Sequence, residues 1–188
     1  MLVSNEEALL KAAKAFDQTA LAQIYDEYSP ALYRYAMRQT GIEEQAEECV
    51  AETFSRLLRA LHAGKGPKSH MKAYLYRIAQ NWITDYFRSP DSKSVELKED
   101  VTSQKNYDAP DDWAEIQFET ERVRRALGML PEKQRQVIVL KFLEEWNNAD
   151  IAVVLEKKVG AVKALQSRGL ATLRQVLATN EMKHETTT

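Results

Sequence analysis

Cysteine is nearly absent: Cys49 is the only one in 188 residues, so no internal disulfide can form, and that usage suits a reducing compartment. Histidine is scarce too. His62, His70 and His184 stand far apart and offer no zinc-ligand spacing. No run approaches the roughly 18 apolar residues a membrane span needs, and the opening MLVSNEEALLKAAKAF has acids where a secretory signal has a basic region. Also missing are an activated nucleophile, a paired acid and base, and a phosphate-cradling glycine loop. These absences predict a cytoplasmic chain with no membrane insertion, no metal, no cofactor and no catalytic residue.

With 44% hydrophobic residues the chain can bury a core. Its net charge of −2 argues against nucleic-acid binding, but the distribution argues for it. Residues 1–90 are balanced, 91–119 hold 3 basic against 9 acidic side chains, and 120–188 hold 12 against 8. Within 63–90, Lys65, Lys68, Lys72, Arg77 and Arg88 face Asp85 alone, and 157–176 carries Lys157, Lys158, Lys163, Arg168 and Arg174 with no acid. Two basic surfaces separated by an acidic connector fit phosphate contact, although solvated helix faces also carry such residues.

Helical periodicity dominates, and the predicted fold is all-α: two small helical domains joined by a flexible acidic linker. Ala20, Leu21, Ile24, Tyr28, Leu32, Tyr35 and Ala36 read as one or two helices, with Pro30 near the start of the second. A helix follows over about 43–62, then a loop at AGKGPKS, then a helix from His70 to Arg88. Residues 1–89 thus form the first domain. The linker is placed at 90–114, polar, acidic and bounded by Pro90 and Pro110. A second domain over 115–180 begins with a helix through Leu127; Leu130-Pro131 opens another to about Leu143. Asn147 or Asn148 caps a short helix to Leu155 or Glu156, and the last helix covers about 159–178. Residues 181–188 read as a frayed tail.

The clearest motif is NNADIAVVLEKKVGAVKALQSRGLATLRQVL. Ile151, Ala152 and Leu155 can pack against Val159, Val162, Leu165 and Leu173 across a tight turn, as in a helix-turn-helix. An ordinary helical hairpin shares that spacing; the acid-free stretch favours the DNA reader. Lys163, Ala164, Ser167 and Arg168 then face the major groove, with Lys157 and Lys158 in the turn. In KSHMKAYLYRIAQNWITDYFRS, Arg77, Asn81, Thr84 or Asp85, and Arg88 line one face among aromatics, which suits single-stranded DNA. Tyr74 or Tyr76 is a candidate base contact there, and Trp82 is assigned to packing. In EEQAEECVAETFSRLLRAL, Glu44, Glu47, Glu48 and Glu52 form either a solvated face or a partner-docking face.

Three segments in order, AEECVAETFSRLLRAL, AYLYRIAQNWITDYFR and LGMLPEKQRQVIVLKFLEEWNNADIAVVLEKKVGAVKALQSRG, resemble the extracytoplasmic-function sigma factors of the sigma-70 family. The resemblance implies a sigma-2 helical bundle over 1–89 and a sigma-4 helix-turn-helix domain over 115–180. Glu47, Glu48, Glu52 and Phe54 would dock on the clamp coiled coil of the largest subunit of core RNA polymerase. Lys65, Lys68, Ser69, His70, Lys72, Arg77 and Asn81 would read the −10 promoter element as it melts. Lys157, Lys158, Lys163, Ala164, Ser167 and Arg168 would read the −35 duplex.

The partners implied are core polymerase, promoter DNA and an anti-sigma factor, with the chain at the nucleoid when bound to polymerase. The chain departs from the family's usual pattern at Glu156, where the turn usually has Gly, at Ala161 in place of Thr, and at Gln45 and Ala51 in place of Asp and Gln. Two alternatives remain: a helix-turn-helix regulator working without polymerase, which leaves 43–88 without a task, and a helical adaptor that has lost DNA binding.

Overall fold

The computed structural model describes residues 2–89 and 121–185. Every regular element among them is helical. The expected linker, the expected start of the second domain at 115 and residues 186–188 lie outside the described residues.

Helix α1 (Leu2–Lys14) buries Leu10 and Ala13. The apolar pattern does not set it apart as an element of its own. Asp17 then caps α2 (Gln18–Thr40), its carboxylate accepting from the Ala20 N–H at 2.8 Å. α2 is one continuous helix that runs through Pro30. The proline removes one backbone donor, but Ile24 before it and Leu32, Tyr35 and Ala36 after it are all buried on the same helix. That packing keeps the helix whole.

Helix α3 (Glu43–His62) has Glu43 and Glu44 in its first turn and Arg59 and His62 in its last, each complementing the helix dipole. Its buried residues Ala46, Cys49, Val50, Phe54, Leu57 and Leu61 recur at helical spacing. At its end Lys65 N–H reaches Ala60 O at 2.8 Å and Gly64 N–H reaches Leu61 O at 3.0 Å. This Schellman closure needs φ > 0, which Gly64 supplies at 67°. Helix α4 (Met71–Arg88) packs on α2 and α3, burying Met71, Leu75, Tyr76, Ala79, Gln80 and Ile83. Inside the bundle Tyr35 Oη donates to Gln80 Oε1, and Gln80 Nε2 donates to Thr84 Oγ1 at 3.0 Å.

The second half opens with α5 over 121–128, burying Ala126 and Leu127. α6 (Glu132–Ile138) leads into a π-helical turn, Val139–Leu143, where Glu144 N–H reaches Val139 O at 3.0 Å. Asn147, not Asn148, caps α7 (Asn148–Val154), accepting from the Asp150 N–H at 2.9 Å. α8 spans Val159–Glu185, so the helix continues through most of the stretch expected to fray.

The two halves are not separate in space. A single hydrophobic cluster runs from Leu10 and Leu32 through Tyr76 to Trp146, Ile151 and Val162. α2 meets α6 and the π turn, and α4 meets α7. The sequence predicts two units; it does not predict that they pack together.

Candidate nucleic-acid interface

The short helix, turn and longer helix form as the motif predicts, with one correction in the packing stripe: Val159, at the first position of α8, is 40% exposed, while Leu165 and Leu173 are half-buried. Ile151, Ala152, Val154 and Leu155 of α7 are buried with Val162 of α8. α7 ends as α3 does: Lys157 N–H reaches Ala152 O at 2.9 Å, which places Glu156 in the left-handed region at φ 52°. That explains why glycine is usual in this turn. Here an ordinary L-residue occupies it, at a backbone cost on the order of 1 kcal/mol or more. Lys163, Ala164, Ser167 and Arg168 are all exposed, on the side of α8 opposite buried Val162 and Gly169. Lys158 is exposed and Lys157 half-buried beside them. Thr172 Oγ1 donates to Gln134 Oε1 at 3.0 Å, tying α8 to α6.

On the other half, Lys65, Lys68, Ser69, His70, Lys72, Arg77 and Asn81 are all exposed. Ser69 and His70 are linked, Oγ to Nδ1, at 2.8 Å, and His70 enters α4 in the left-handed region at φ 57°. The Met71 N–H donates to the Glu6 carboxylate at 2.7 Å, so α1 caps the helix that carries these residues. Asn81, Asp85 and Arg88 remain exposed along α4.

Two aromatic expectations diverge. Trp82 stacks on Tyr86 at 5.7 Å with an interplanar angle of 4°, consistent with packing. Tyr76, a candidate base contact, is fully buried: its ring lies 5.1 Å from Tyr35 and 4.9 Å from Trp146. Its hydroxyl donates to Glu144 at 2.8 Å, and burial first, then that carboxylate, raise the phenol's pKa. Tyr74 is the half-buried one of the pair.

The four residues expected to dock on polymerase do not form one patch. Glu47 and Glu48 are exposed. Glu52 accepts from Arg56 and Arg59, each at 2.8 Å, and the Arg56 bond leads the lowering of its pKa. Its charge is therefore matched within its own helix. Phe54 is a correction: it is 9% exposed and belongs to the core, because its helix position turns it inward against α2. The exposed ring there is Tyr25, 49% exposed and 4.8 Å from Phe54. Tyr25 and Glu47 line a groove of about 540 Å³ with Ser29, Pro30, Tyr33 and Val50. Tyr25 was missed because its neighbour Ile24 carries the apolar periodicity.

Residues joining the halves were missed as well. Glu144, whose side chain is only 7% exposed, accepts from Arg38 at 2.6 Å besides Tyr76. Lys72 Nζ lies 4.8 Å from the Trp146 ring centroid, Arg77 Nε lies 3.1 Å from Glu156 Oε1, and the Arg135 guanidinium lies 4.8 Å over the Phe87 ring.

The family model for sigma-70 region 2 matches residues 24–92, and that for sigma-70 region 4 matches residues 120–173. The chain is 31% identical over 175 residues to the ECF RNA polymerase sigma factor BldN of Streptomyces coelicolor, covering 90% of this chain and 64% of BldN. It is 30% identical over 172 residues to the ECF RNA polymerase sigma factor SigL of Mycobacterium tuberculosis, covering 90% of this chain and 96% of SigL. Among solved structures, CnrH in complex with the cytosolic domain of CnrY matches with a TM-score of 0.70 and 26% identity, over 93% of this chain and 97% of that one. No described helix is long and apolar enough to cross a membrane. With both sigma-70 regions matched in order and a relative aligned over nearly its full length, the chain belongs to the ECF RNA polymerase sigma factors.

Proposed function

We propose that this sigma factor works by three surfaces. The exposed face of α8, Lys163, Ala164, Ser167 and Arg168, enters the major groove at the −35 element, with Lys157 and Lys158 on the adjoining phosphates. Arg168 and Lys163 can donate to guanine or phosphate, and Ala164 offers only apolar contact, as to a thymine methyl. The loop 63–69 and the start of α4 hold the melted −10 strand through Lys65, Lys68, Ser69, His70, Lys72, Arg77 and Asn81. Base extrusion costs a few kcal/mol, so a cationic surface that captures the open strand biases the duplex toward melting.

Core polymerase docks on α3 and α2 at Glu47, Glu48 and the Tyr25 groove, and supplies all nucleotidyl transfer; the chain itself acts without catalysis. The domain division follows: 1–89 for docking and the −10 element, 90–114 as linker, 115–180 for the −35 element. CnrH is seen bound to the cytosolic domain of CnrY, and a protein partner acting as an anti-sigma factor is the proposed regulator here.

The observation that carries this reading is the acid-free exposed face of α8 on a formed helix-turn-helix, paired with a second cationic face on α4. A run-off transcription assay with purified core polymerase tests it. Initiation that depends on the added chain supports it. Sequence-specific duplex binding without polymerase, and no initiation with it, would instead mark a stand-alone regulator.

A further inference from the structure

Lys65, Lys68, Ser69 and His70 stand exposed on the loop between α3 and α4. The middle of that loop is anchored by its own chain: Pro67 is buried, and Gly66 lies so tight on Leu61 that a Cβ there would come within 2.5 Å of Leu61 Cδ2. Both of its ends meet α1 or the residue just past it. At the exit, His70 supplies no side-chain cap to α4, and the Glu6 carboxylate takes the Met71 N–H instead, at 2.7 Å. At the entrance, the Phe16 ring meets that of His62, the last residue of α3, edge to face at 5.8 Å.

Phe16 is the unexpected residue. α1 closes on it as α3 closes on Gly64: Asp17 N–H reaches Ala12 O at 3.1 Å and Phe16 N–H reaches Ala13 O at 3.0 Å, with Phe16 at φ 58°. Glycine takes that conformation freely, whereas a bulky side chain there is strained. Core packing does not explain it, since Phe16 is 42% exposed. What the ring gains is the contact with His62. α1 can bear the load because Leu10 and Ala13 seat it in the core.

We propose that α1 is a brace for this loop: Glu6 and Phe16 are positioning residues that fix its exit and its entrance, so that the exposed cations and the Ser69–His70 pair meet the unpaired −10 strand already in place.

A loop set in advance gives up less conformational freedom when the strand arrives. Loss of the brace should therefore show in promoter opening and not in docking on duplex. The consequence for DNA rests on the −10 role proposed above for this loop; the hold on the loop does not. The test uses the full chain, alone and with core polymerase, after circular dichroism has established folding. Amide hydrogen exchange of peptides spanning 63–72 reads the loop. Permanganate oxidation of unpaired thymines reads opening, on a promoter fragment that the parent holoenzyme transcribes.

Glu6→Ala removes the acceptor and should speed exchange across 63–72, and reduce opening, by roughly fivefold each, the size set by losing a helix cap. Exchange in α6 to α8, affinity for core polymerase and affinity for the duplex before opening should stay at the parent level. Glu6→Gln keeps an acceptor and should restore both readouts. Glu7→Ala, the same change of charge at the exposed neighbouring site, should match the parent throughout. Phe16→Gly suits the left-handed turn and removes only the ring, so it should speed exchange at the loop's entrance without loss of helix content.

Parent-like exchange across 63–72 in folded Glu6→Ala and Phe16→Gly overturns the brace. A loosened loop with undiminished opening overturns the assignment of the −10 strand to it, and the positioning role as well, while the hold stands. Opening that improves in Glu6→Ala means that the carboxylate competes with a phosphate at the first turn of α4, which also overturns the positioning role. If the parent holoenzyme transcribes nothing, the proposed function fails, and the exchange measurements still decide whether α1 holds the loop. Should Glu6→Ala not fold, parent-like exchange at the entrance in Phe16→Gly overturns the brace.

Discussion

Replacing Gly169 with alanine puts a methyl group where α8 lies tight against α6. The new Cβ would lie 2.7 Å from Ile138 Cγ1 and 3.1 Å from its Cδ1, with Gln134 Cβ at 3.5 Å. Ile138 is 3% exposed, and its branched side chain has little room to turn away. Two effects oppose each other. Alanine gains about 1 kcal/mol of helix propensity over glycine, while forcing a methyl into a filled core costs roughly 1–3 kcal/mol. At 2.7 Å from a carbon near the backbone the clash wins, for a net loss of about 1 kcal/mol or more. That loss lowers the melting temperature by roughly 2–4 °C per kcal/mol.

Ile138→Ala supplies the control, because it removes the clashing atoms at its own cost of about 2–5 kcal/mol. In that background Gly169→Ala should stabilise by up to about 1 kcal/mol, so the substitution reverses sign and the two sites couple by roughly 2 kcal/mol. Urea denaturation of the four chains, followed by helix content, reads the cycle. If Gly169→Ala has the same sign in both backgrounds, the close approach of α8 to α6 does not set the packing as described. Because Gly169 adjoins Arg168, that same approach fixes how far the exposed face of Lys163, Ala164, Ser167 and Arg168 stands out from the rest of the half.

Other outcomes bear on chemistry. Arg168→Ala and Lys163→Ala should each weaken −35 recognition by the polymerase holoenzyme, by about 1–3 kcal/mol for every base-specific hydrogen bond removed; full promoter activity in the double variant would place the reading face elsewhere. Burial pushes the Cys49 thiol up to about 12 from 9.0, so the neutral thiol is favoured by the fold. The stabilisation is whole below pH 9 and is lost as pH climbs from 9 toward 12, with about 1.4 kcal/mol at stake per unit. The urea midpoint should therefore fall across that range, less steeply in Cys49→Ala, and a thiol alkylated at about pH 8 as fast as free cysteine would contradict the burial.

Much of the fold was legible because local chemistry marks its ends. The acids at Glu43 and Glu44 and the closure at Gly64 bracket α3, and Asn147 announces α7. The face of α8 followed from periodicity alone. What could not be read depends on partners far along the chain. Arg38 meets Glu144 across 106 residues, and no spacing rule reaches that far. For the same reason Tyr76 looked like a base contact: its ring is amphipathic, and only the arrival of Trp146 and Glu144 decides that it is enclosed. Phe54 differs: periodicity puts it on the apolar face of its helix with Val50 and Leu57, where it is buried, and the docking role came only with the family resemblance. The π turn at Val139–Leu143 was hidden because an i→i+5 register uses the same apolar residues as an ordinary helix.

Glu6 closes the first turn of α4 from a helix more than sixty residues upstream. Anything that tugs on or crowds α1 thus bears directly on the entrance to α4 and on the loop at 63–69 before it. Solubility fusions joined ahead of Leu2 are for that reason a poor choice for DNA-binding work on this factor, and a Glu6→Gln chain, which keeps an acceptor but no charge, separates the electrostatic part of that influence from the mechanical one.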